Sequence, residues 1–378
     1  MSKTQITRAL FLIQLPPPIH GASVMNQSVY HAISTDSQFE TRLISLNFAR
    51  DLADLQKVRL GKVFKAFAIL FRLIWQLLTF RPSTVYFSMV PLNFVLIRDA
   101  LYLLIIKLLL PKGKYVLHFH RSGLIEYSNK WGLNWFYRIL FRGCDIVHLS
   151  EGLVRKEILP LKLQATRVHV IPNFISNSEP TERNKAERDP NCILFLSNLL
   201  PHKGFDKLMQ AFALLTDEYP QLRLTIAGQP QNLKVESDLR DMVRTLNLSD
   251  RVQIVGFVDR EKKRMLLESA SILVLPSERE YFPLVILEAM MAGVAVIASE
   301  RENLSSIFVD KKEILFIDRL TPDSIAESIK LMIENPQMSD EISIGGNRKA
   351  NQLQHESLNK IKTVLCFIRN EDKQNELD

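Results

Sequence analysis

Apolar and polar residues alternate along this chain with two different periods. Short apolar runs, bounded by polar residues or prolines, are followed by longer segments in which apolar residues recur every three to four positions. The short runs predict buried strands, and the longer segments predict amphipathic helices. In the first half the predicted strands are 9–15, 42–46, 84–88, 115–118 and 145–149. In the second half they are 192–197, 222–227, 252–255, 272–275, 294–298 and 314–317, with helices at 203–219, 236–246, 261–269, 284–291 and 322–333. One more helix is predicted at the tail from the spacing of Leu358, Ile361, Val364, Leu365 and Ile368.

This alternation of strands and helices is typical of doubly wound parallel sheets. With 378 residues, the chain also exceeds the size that one hydrophobic core usually serves. We therefore predict an α/β protein with two Rossmann-like domains, 1–175 and 192–352, joined by the polar linker 176–191. Residues 353–378 are predicted to form a C-terminal helix, with packing back on the N-terminal domain as one option. Two such domains facing each other would create a cleft at the carboxyl ends of their strands, where we expect ligands.

Charge is divided unevenly between the two halves. Residues 1–175 carry 22 Lys and Arg against 9 Asp and Glu, a net +13, whereas 176–378 carry 26 against 32, a net −6. A basic half attracts nucleic acid, anionic lipid headgroups or phosphorylated small molecules. The sequence has no zinc-finger spacing and no aromatic RNA-binding box, so we expect no nucleic-acid partner.

The segment 60–110 contains two long apolar stretches that charges interrupt. Arg98, Asp99 and Lys107 make the second stretch unfavourable as a membrane span. In the first stretch, basic and aromatic residues interleave: Lys62, Lys65, Arg72 and Arg81 with Phe64, Phe67, Phe71, Trp75 and Phe80. This mixture is typical of a helix at an anionic membrane surface. The alternative is a domain helix with a solvated basic edge.

The cysteines and the first apolar run indicate a reducing compartment. Cys144, Cys192 and Cys366 are odd in number, far apart and in apolar surroundings, which suits free thiols. The run from Ile6 to Leu15 contains Arg8 and ends in three prolines, which predicts a buried strand and not a signal peptide. We expect a cytoplasmic protein that is peripheral on the inner face of the plasma membrane.

The richest segment for chemistry is 276–299, PSEREYFPLVILEAMMAGVAVIAS. A strand ends at Pro276, and a helix is predicted to begin near Pro283, which has no N–H to leave orphaned there. The positive end of the helix dipole would lie at the same point. The helix start would then present a diphosphate with the free amides of Leu284, Val285 and Ile286.

Two glutamates bracket this helix start. Glu280, in the loop, would accept hydrogen bonds from sugar hydroxyls, and Glu288, in the helix, would accept two ribose hydroxyls through its two oxygens. The alternatives are a solvated loop charge for Glu280 and a helix-surface residue for Glu288. The apolar neighbours of Glu288 argue against its alternative, because a charge among them needs a partner.

This segment resembles the E-x7-E signature of retaining glycosyltransferase family 4, whose members have the GT-B fold. Six further blocks resemble the family: HGASVMN (20–26), HFH (118–120), IPNFI (171–175), SNLLPHKG (197–204), IAGQP (226–230) and VGFV (255–258). The resemblance implies a glycosyltransferase of the bacterial surface-polysaccharide type, with 1–175 on the acceptor side and 192–352 binding the nucleotide sugar. Its implied partners are a nucleotide diphosphate sugar as donor and a glycan or polyprenyl-diphosphate-linked acceptor.

The resemblance also implies roles for individual residues. The candidate catalytic residues are His120, Lys203 and Glu280. The candidate donor-binding residues are Gly21, Asn198, Lys203, Glu280, Phe282, Pro283, Leu284, Val285 and Glu288.

One departure from the family pattern concerns the phosphate clamp. The family usually has an arginine five residues before Lys203, where this chain has Asn198, so one positive charge is missing. Arg279, His202 and Arg301 are candidates for replacing it, and the sequence does not rank them. For Lys203 the alternative is that it merely opens a surface helix.

Three histidines near predicted strand ends are further candidates. His20 precedes a lone Gly21 where the family commonly has a glycine pair, and a proline-rich turn before a helix explains this segment equally well. His118 and His120 are predicted to project to opposite faces of their strand, so that only one faces the cleft. His120 is nearer the carboxyl end and is the functional candidate, and His118 is expected to be a buried structural histidine.

Transfer from a nucleotide sugar requires stabilisation of the negative charge that grows on the leaving diphosphate. Many transferases use a metal held by an Asp-x-Asp loop, and the sequence contains no such triplet. We therefore expect no metal and no other cofactor. The resemblance implies that the anomeric configuration is retained. Two alternatives stay open: another GT-B enzyme, such as an epimerase or inverting transferase, and a non-catalytic protein that binds nucleotide sugars or membranes.

Overall fold

The computed structural model describes residues 6–48, 60–164, 166–175 and 188–366. The chain divides into two compact units: unit 1 comprises Met1–Ser176 and Gln354–Asp378, and unit 2 comprises Asn177–Leu353. Each unit is built around a six-stranded sheet with parallel pairing, which confirms the predicted α/β class. Most of the predicted linker, 176–187, and Ile368 of the predicted tail helix lie outside the described residues.

Unit 1 contains six strands and six α-helices in its described part before residue 176. The strands are β1 (Thr7–Ile13), β2 (Phe39–Ser45), β3 (Thr84–Ser88), β4 (Lys114–His118), β5 (Asp145–His148) and β6 (Arg167–Val170). The helices are α1 (Gly21–Ser34), α2 (Leu60–Thr79), α3 (Asn93–Leu109), α4 (Leu124–Trp131), α5 (Asn134–Phe141) and α6 (Glu151–Leu153), the last continuing into short π and 3₁₀ turns.

Unit 2 repeats this alternation. Its strands are β7 (Cys192–Leu196), β8 (Arg223–Ala227), β9 (Val252–Gly256), β10 (Ile272–Leu275), β11 (Ala295–Ser299) and β12 (Leu315–Ile317). Its helices are α7 (Phe205–Leu215), α8 (Leu233–Thr245), α9 (Arg260–Ser269), α10 (Leu284–Met291), α11 (Glu302–Ser305), α12 (Pro322–Glu334) and the start of α13 (Pro336–Leu365).

The inner strands are apolar on both faces because helices cover both sides of each sheet. In β1, TRALFLI, every residue except Arg8 is buried. Leu10 and Leu12 enter one core cluster, with α2 and α3, while Ala9 and Phe11 enter the other, with α1. The period-2 alternation of a strand thus divides its side chains between two cores.

Strand order places a switch point in each sheet. The order is β2-β1-β3-β4-β5-β6 in unit 1 and β12-β11-β10-β7-β8-β9 in unit 2. The chain reverses its direction of travel between β1 and β3, and between β7 and β10. Ligands of open α/β sheets bind outside the carboxyl ends of strands at such points.

The last helix belongs to both units. α13 begins in unit 2, where the backbone of Gly345 and Gly346 lies against the carbonyls of Lys312 and Glu313. From Gln354 onward the chain is part of unit 1. There Ile361, Val364 and Leu365, on one side of the helix, pack in the core with β1, β3 and α1.

Candidate active site

Two loops meet at the switch point of the second sheet. One follows β7 to Lys203, and the other follows β10 to Glu280. The backbone amide of Glu278 donates to the carbonyl of His202 at 2.8 Å, so the loops are hydrogen-bonded to each other. Lys203 Nζ lies 2.6 Å from Glu280 Oε1, with only 15% and 8% of the two side chains exposed. The structure thus brings together two of the three residues predicted to be catalytic.

Gly204 permits this close approach. Its φ is +74°, and a Cβ built on it would lie 2.1 Å from the carbonyl oxygen of Pro276. A side chain would therefore force the two loops apart. Gly204 also separates a 3₁₀ turn, Pro201–Lys203, from α7. The predicted helix start at residue 203 is corrected for this reason, and Lys203 does not open the helix.

Two polar side chains, one at the end of β11 and one in the helix after it, hold the Glu280 loop in place. The hydroxyl of Ser299 donates to the carbonyl of Ser277 at 2.7 Å. The amide of Asn303 donates to the carbonyl of Glu280 at 2.7 Å and also to that of Tyr281. The sequence predictions omitted both residues. Their signal is position, because Ser299 ends β11 and Asn303 follows it, at the same sheet edge as the loop after β10.

Phe282 anchors this loop by packing its side chain against Phe308. Its side chain is buried, and its ring stacks on Phe308 with centroids 6.0 Å apart and planes at 9°. The ring of Phe282 is thus a packing contact. Only the backbone of Phe282 is available for the predicted role in donor binding.

The helix after Glu280 has its predicted bounds, Leu284–Met291. Pro283 is extended, with ψ of 123°, and caps α10 without being part of it. The amide of Ile286 donates to the carbonyl of Pro283 at 3.2 Å, so the prediction of a free amide there is wrong. The amides of Leu284 and Val285 have no acceptor within the described residues. They are the amides at this helix start that could donate to an anion.

Glu288 has the partner that its apolar surroundings require. It is the only charged residue of α10, LVILEAMM. Lys263 Nζ, from α9, binds its Oε1, with 32% of the lysine and 16% of the glutamate side chain exposed. No donor to Oε2 is found within the described residues. Lys263 is absent from the predicted site, since nothing in its spacing connects it with Glu288.

Three candidate residues differ in how well they could replace the arginine charge that is missing from the phosphate clamp at Asn198. The Asn198 side chain has no hydrogen-bond partner in the described part of the chain. Arg279 is exposed. Burial and the nearby Lys203 lower the pKa of His202, which is thus neutral at pH 7. Arg301 is half-buried; its Nη2 lies 3.5 Å from the Ser277 carbonyl, and its Nε is buried without a partner. Arg301 is the candidate that keeps both its charge and an unused donor.

In unit 1 the segment around Gly21 is a helix start. His20 caps α1: its Nδ1 accepts from the Ser23 amide at 3.2 Å, and its own amide donates to the Ser23 hydroxyl at 3.0 Å. A Cβ on Gly21 would meet nothing within 4 Å. The protein's own packing therefore gives no reason for a glycine at this position.

The predicted orientation of His118 and His120 is wrong. Residues two apart on a strand lie on the same face, and the two rings are 4.0 Å apart at 34°. His118 is fully buried, as predicted, and Tyr86 forms a hydrogen bond with its Nδ1. The pair forms one stacked unit at the carboxyl end of β4.

His120 is held in one neutral form by Asn26. The Asn26 amide donates to the carbonyl of Gln14 at 3.1 Å and to the Ser88 hydroxyl at 3.0 Å, across the switch point. A carbonyl only accepts, so the Asn26 oxygen must face His120 Nε2, 3.1 Å away. Burial and then the neighbouring His148 lower the pKa of His120 to about 3. At neutral pH its Nε2 thus carries the proton, and its Nδ1 is an unpaired acceptor.

Metal-ligand and thiol chemistry find little support in the described ranges. No group of three or more His, Cys, Asp or Glu side chains is placed there to hold a metal ion. The three cysteines are free, and burial raises the pKa of the Cys144 thiol to about 11.

Unit 1 also displays a large apolar surface, here called the apolar face. α3 packs between α2 and α5: Tyr102 donates to the Ala66 carbonyl at 2.7 Å, and Lys107 to the Leu140 carbonyl at 2.7 Å. Within the described residues no helix is long and apolar enough to cross a bilayer. The apolar face consists of the exposed side chains of Val63, Phe64, Phe67, Phe71, Trp75, Leu78, Phe94, Ile97, Leu101, Leu104, Leu108, Trp131, Trp135 and Ile139.

Comparison with known proteins shows which proteins this site resembles. The family model described as Glycosyl transferases group 1 matches residues 178–349, which include Lys203, Glu280 and Glu288. Over this stretch the chain is similar to group 1 glycosyltransferase domains. The domain is similar to the YqgM glycosyltransferase of Bacillus subtilis, with 26% identity over 58% of this chain and 60% of the relative. It is 31% identical to a glycosyltransferase of Haemophilus influenzae over 52% of this chain and 55% of the relative.

A third relative has a named product. Mannosylfructose-phosphate synthase of Agrobacterium fabrum is 25% identical over 57% of this chain and 51% of the relative. The matches thus span only about half to three fifths of these curated relatives.

Solved structures resemble nearly the whole chain. Anabaena HepE in complex with UDP and glucose has a TM-score of 0.69 and 17% identity, covering 95% of this chain and 99% of that one. A glycosyltransferase of Rickettsia africae has a TM-score of 0.73 and 14% identity, covering 95% and 98%. At these identities the likeness shows the fold alone, and the two-domain GT-B fold expected from the sequence is confirmed.

Proposed function

We propose that this chain is a retaining, metal-independent glycosyltransferase. It moves a hexose-type sugar from a nucleotide diphosphate sugar to a glycan or polyprenyl-diphosphate-linked acceptor in surface polysaccharide or lipopolysaccharide synthesis. The observation that carries the proposal is the meeting of Lys203, Glu280 and the start of α10 at the switch point of the second sheet. That meeting occurs inside the stretch that matches the group 1 family.

The groups at this point suit a sugar diphosphate. The Lys203 ammonium and the amides of Leu284 and Val285 supply donors and positive charge for phosphate oxygens. Glu280 keeps Oε2 for a sugar hydroxyl while Lys203 binds Oε1. Arg301 supplies the second cation that Asn198 does not. A preorganised set of this kind stabilises the charge that develops on a leaving diphosphate.

The reaction transfers a glycosyl group without redox change. The bond between the anomeric carbon and the β-phosphate oxygen breaks, and its electron pair leaves with the nucleoside diphosphate. A bond from the acceptor hydroxyl oxygen to the anomeric carbon forms on the same face. The hydroxyl proton passes to the departing phosphate, so the chain needs no side-chain base at that position. A neutral His120 with a free Nδ1 acceptor would orient a sugar hydroxyl.

A donor screen tests this proposal. The full chain is melted with UDP-, GDP- and ADP-sugars, since a ligand that binds only the folded state raises the melting temperature. The best donor is then incubated with a lipid-linked or glycan acceptor, and NMR of the product gives the anomeric configuration. Turnover that persists with EDTA and retains the configuration supports the proposal.

Other outcomes select the alternatives. A product altered only in the donor sugar identifies an epimerase, and an inverted linkage identifies an inverting transferase. Binding without turnover across the acceptors indicates the non-catalytic nucleotide-sugar protein that the missing clamp arginine suggests. Absence of any stabilising donor contradicts the whole proposal.

We also propose that unit 1 works at the cytoplasmic surface of an anionic membrane. α2 separates its apolar residues into two stripes: Ile69, Leu73 and Leu77 are buried, whereas Phe64, Phe67, Phe71, Trp75 and Leu78 are exposed. Exposed Lys65 and Arg72 stand among the exposed aromatics. Aromatic rings with neighbouring cations favour the bilayer interface with anionic headgroups.

Cosedimentation with vesicles tests the membrane proposal. Phe71→Ser with Trp75→Ser removes two rings that are 71% and 65% exposed, so the fold should be unaffected. We expect binding to phosphatidylglycerol vesicles to fall at least about tenfold, and wild-type binding to weaken with salt. The matched control is Leu233→Ser with Met265→Ser, two exposed apolar residues of unit 2. An equal loss of vesicle binding in both double variants would contradict the membrane proposal, and so would the absence of wild-type binding at low salt.

A further inference from the structure

A cavity of about 320 Å³ opens in unit 1 between α2 and the end of β2. Its lining residues are Ser45, Asn47, Lys65, Ala68, Ile69 and Arg72. Ser45 is the last residue of β2, so the cavity lies at the carboxyl edge of the first sheet. This is the edge where open α/β sheets bind ligands.

Two cations on one helix face stand over this cavity. Lys65 and Arg72 are seven residues apart, which is close to two helical turns and places them on the same side of α2. Both are exposed, and neither forms an ion pair with a carboxylate in the described part of the chain. Two unpaired positive charges that share a concave site favour a multiply charged anion, such as a phosphate or diphosphate group.

The opposite wall of the cavity is rigid. The Asn47 amide donates to the carbonyls of Leu15 and Pro17 at 2.8 and 2.9 Å, and its oxygen accepts from the Leu15 amide. Its side chain is thus committed to the loop after β1. The Ser45 hydroxyl is the wall group that can donate to an anion.

The surroundings of the cavity indicate that its ligand has a hydrocarbon part. Ala68 and Ile69 form an apolar floor between the two cations. Phe64 and Phe71 directly precede Lys65 and Arg72 in sequence and are 74% and 71% exposed, within the apolar face. An anionic head in the cavity would therefore have its chain beside aromatic side chains.

We propose that the cavity between Lys65 and Arg72 binds the phosphate or diphosphate head of a lipid-linked acceptor, whose hydrocarbon chain lies along the apolar face. This inference rests on the proposed function and deepens it, since it selects the lipid-linked acceptor over a free glycan and gives its head group a binding site. The site differs from the donor phosphate seat, which is formed by Lys203 and α10 of unit 2.

The test uses the full chain and two sets of vesicles with equal surface charge. One set contains phosphatidylglycerol in phosphatidylcholine, and the other contains a polyprenyl diphosphate. Inorganic pyrophosphate in solution is the third arm, because it separates a free phosphate site from a lipid headgroup site. The test variant is Lys65→Gln with Arg72→Gln, and the control is Lys112→Gln with Lys130→Gln, which removes the same charge from exposed positions of unit 1 outside the cavity.

We expect the wild type to bind polyprenyl-diphosphate vesicles about tenfold more tightly than phosphatidylglycerol vesicles. The test variant should lose this preference, and the control should weaken binding to both vesicles by a similar factor while keeping it. Pyrophosphate should bind weakly and only with Lys65 and Arg72 present. Melting temperatures of both variants should match the wild type, since the four residues are exposed.

Three results overturn the inference. They are a wild type without preference, a test variant that keeps its preference, and pyrophosphate that binds as tightly as the lipid, which makes the cavity a free-anion site. Donor stabilisation and glycosyl transfer are measured in parallel on the same preparations. Normal donor binding with no vesicle preference refutes the inference and leaves the proposed function standing, whereas loss of donor binding refutes the proposed function.

Discussion

Two lysine–glutamate pairs lie at the two ends of the segment from Glu280 to Glu288. In each pair the lysine binds one carboxylate oxygen, and the glutamate side chain is mostly buried. A mostly buried carboxylate without a counter-charge is costly to desolvate. Each lysine therefore provides the counter-charge of its glutamate and orients it, with the other oxygen available to a hydroxyl donor.

Lys263 should consequently control nucleotide affinity through Glu288. Lys263→Met removes the charge and keeps the length of the side chain, and we expect about tenfold weaker binding of the preferred nucleoside diphosphate in calorimetry. Glu288→Ala should weaken it at least as much. Lys262→Met, an exposed neighbour on α9, is the control. If Lys263→Met and Lys262→Met have the same affinity, the ion pair has no part in donor binding.

Arg301 should carry the charge that the Asn198 position lacks. Arg301→Met removes a guanidinium with a buried, unpaired Nε, and we expect roughly tenfold weaker binding of a nucleoside diphosphate, with nucleoside affinity unchanged. Arg279→Met removes an exposed arginine nearby and should change neither. The reverse ranking of these two variants would show that Arg301 only braces the Ser277 loop.

The buried histidines should make unit 1 sensitive to acid. Burial lowers the pKa of His120 to about 3 and that of His148 to about 4, against about 6.5 in an unfolded chain. Between pH 6.5 and 4 the unfolded chain binds protons that the folded chain does not, so stability falls as the pH falls. Each histidine contributes a slope of at most about 1.4 kcal/mol per pH unit. His148→Asn should flatten the loss of calorimetric stability between pH 7 and 5, and an unchanged slope would contradict this account.

At the scale of elements, the inner strands could be predicted closely because they are buried on both faces and read as unbroken apolar runs, whereas the partly exposed edge strand β6 was not predicted. Residues 84–88 and 272–275 have the predicted bounds, and most other strand ends differ by one or two residues. Helix starts were less predictable. The turn at Gly204 delays α7 by two residues, and α8 begins at Leu233, three residues before its predicted start, because apolar spacing does not encode turn geometry or helix caps. In contrast, α10 has its predicted bounds.

Gly204 and Gly21 offer a matched comparison between two loop-to-helix junctions. Gly204→Ala combines a φ of +74° with a clash at 2.1 Å, and we expect a loss of more than about 2 kcal/mol in unfolding free energy. Gly21→Ala meets no protein atom, so its stability should be unchanged. Weaker donor binding by Gly21→Ala would support close approach of phosphate to this backbone. Unchanged donor affinity would leave Gly21 as a helix start only.

At the scale of the molecule, the sequence predicted the parts of the site but not their partners. Lys203, Glu280 and Glu288 follow from strand ends and from the signature spacing. Lys263 and Asn303 approach them from other elements, and only the three-dimensional order of strands brings them there. The error about His118 and His120 has a simpler origin, since the two-residue period of a strand places both on one face.

Ile361 should stabilise unit 1 although it is far away in sequence. It is fully buried in the core with β1 and β3, while Thr84 donates to the carbonyl of Leu365 at 3.1 Å and Lys362 pairs with Asp36 at 2.7 Å. We expect Ile361→Ala to cost about 2–5 kcal/mol, with earlier melting of unit 1 peptides in hydrogen-exchange mass spectrometry. Leu353→Ala, at a residue of unit 2, should not affect those peptides. Equal exchange in the two variants would contradict the assignment.

The split of unit 1 between the two ends of the chain affects how the protein can be made. A ribosome releases residues 1–176 long before it reaches 361–365, so the first sheet emerges with one strip of its core uncovered. Unit 2 is complete by residue 353 and can fold before unit 1 is complete. During synthesis, the nascent first unit therefore exposes to chaperones an apolar strip that is buried in the finished protein. Unit 1 reaches its full stability only when the last turns of α13 have been made.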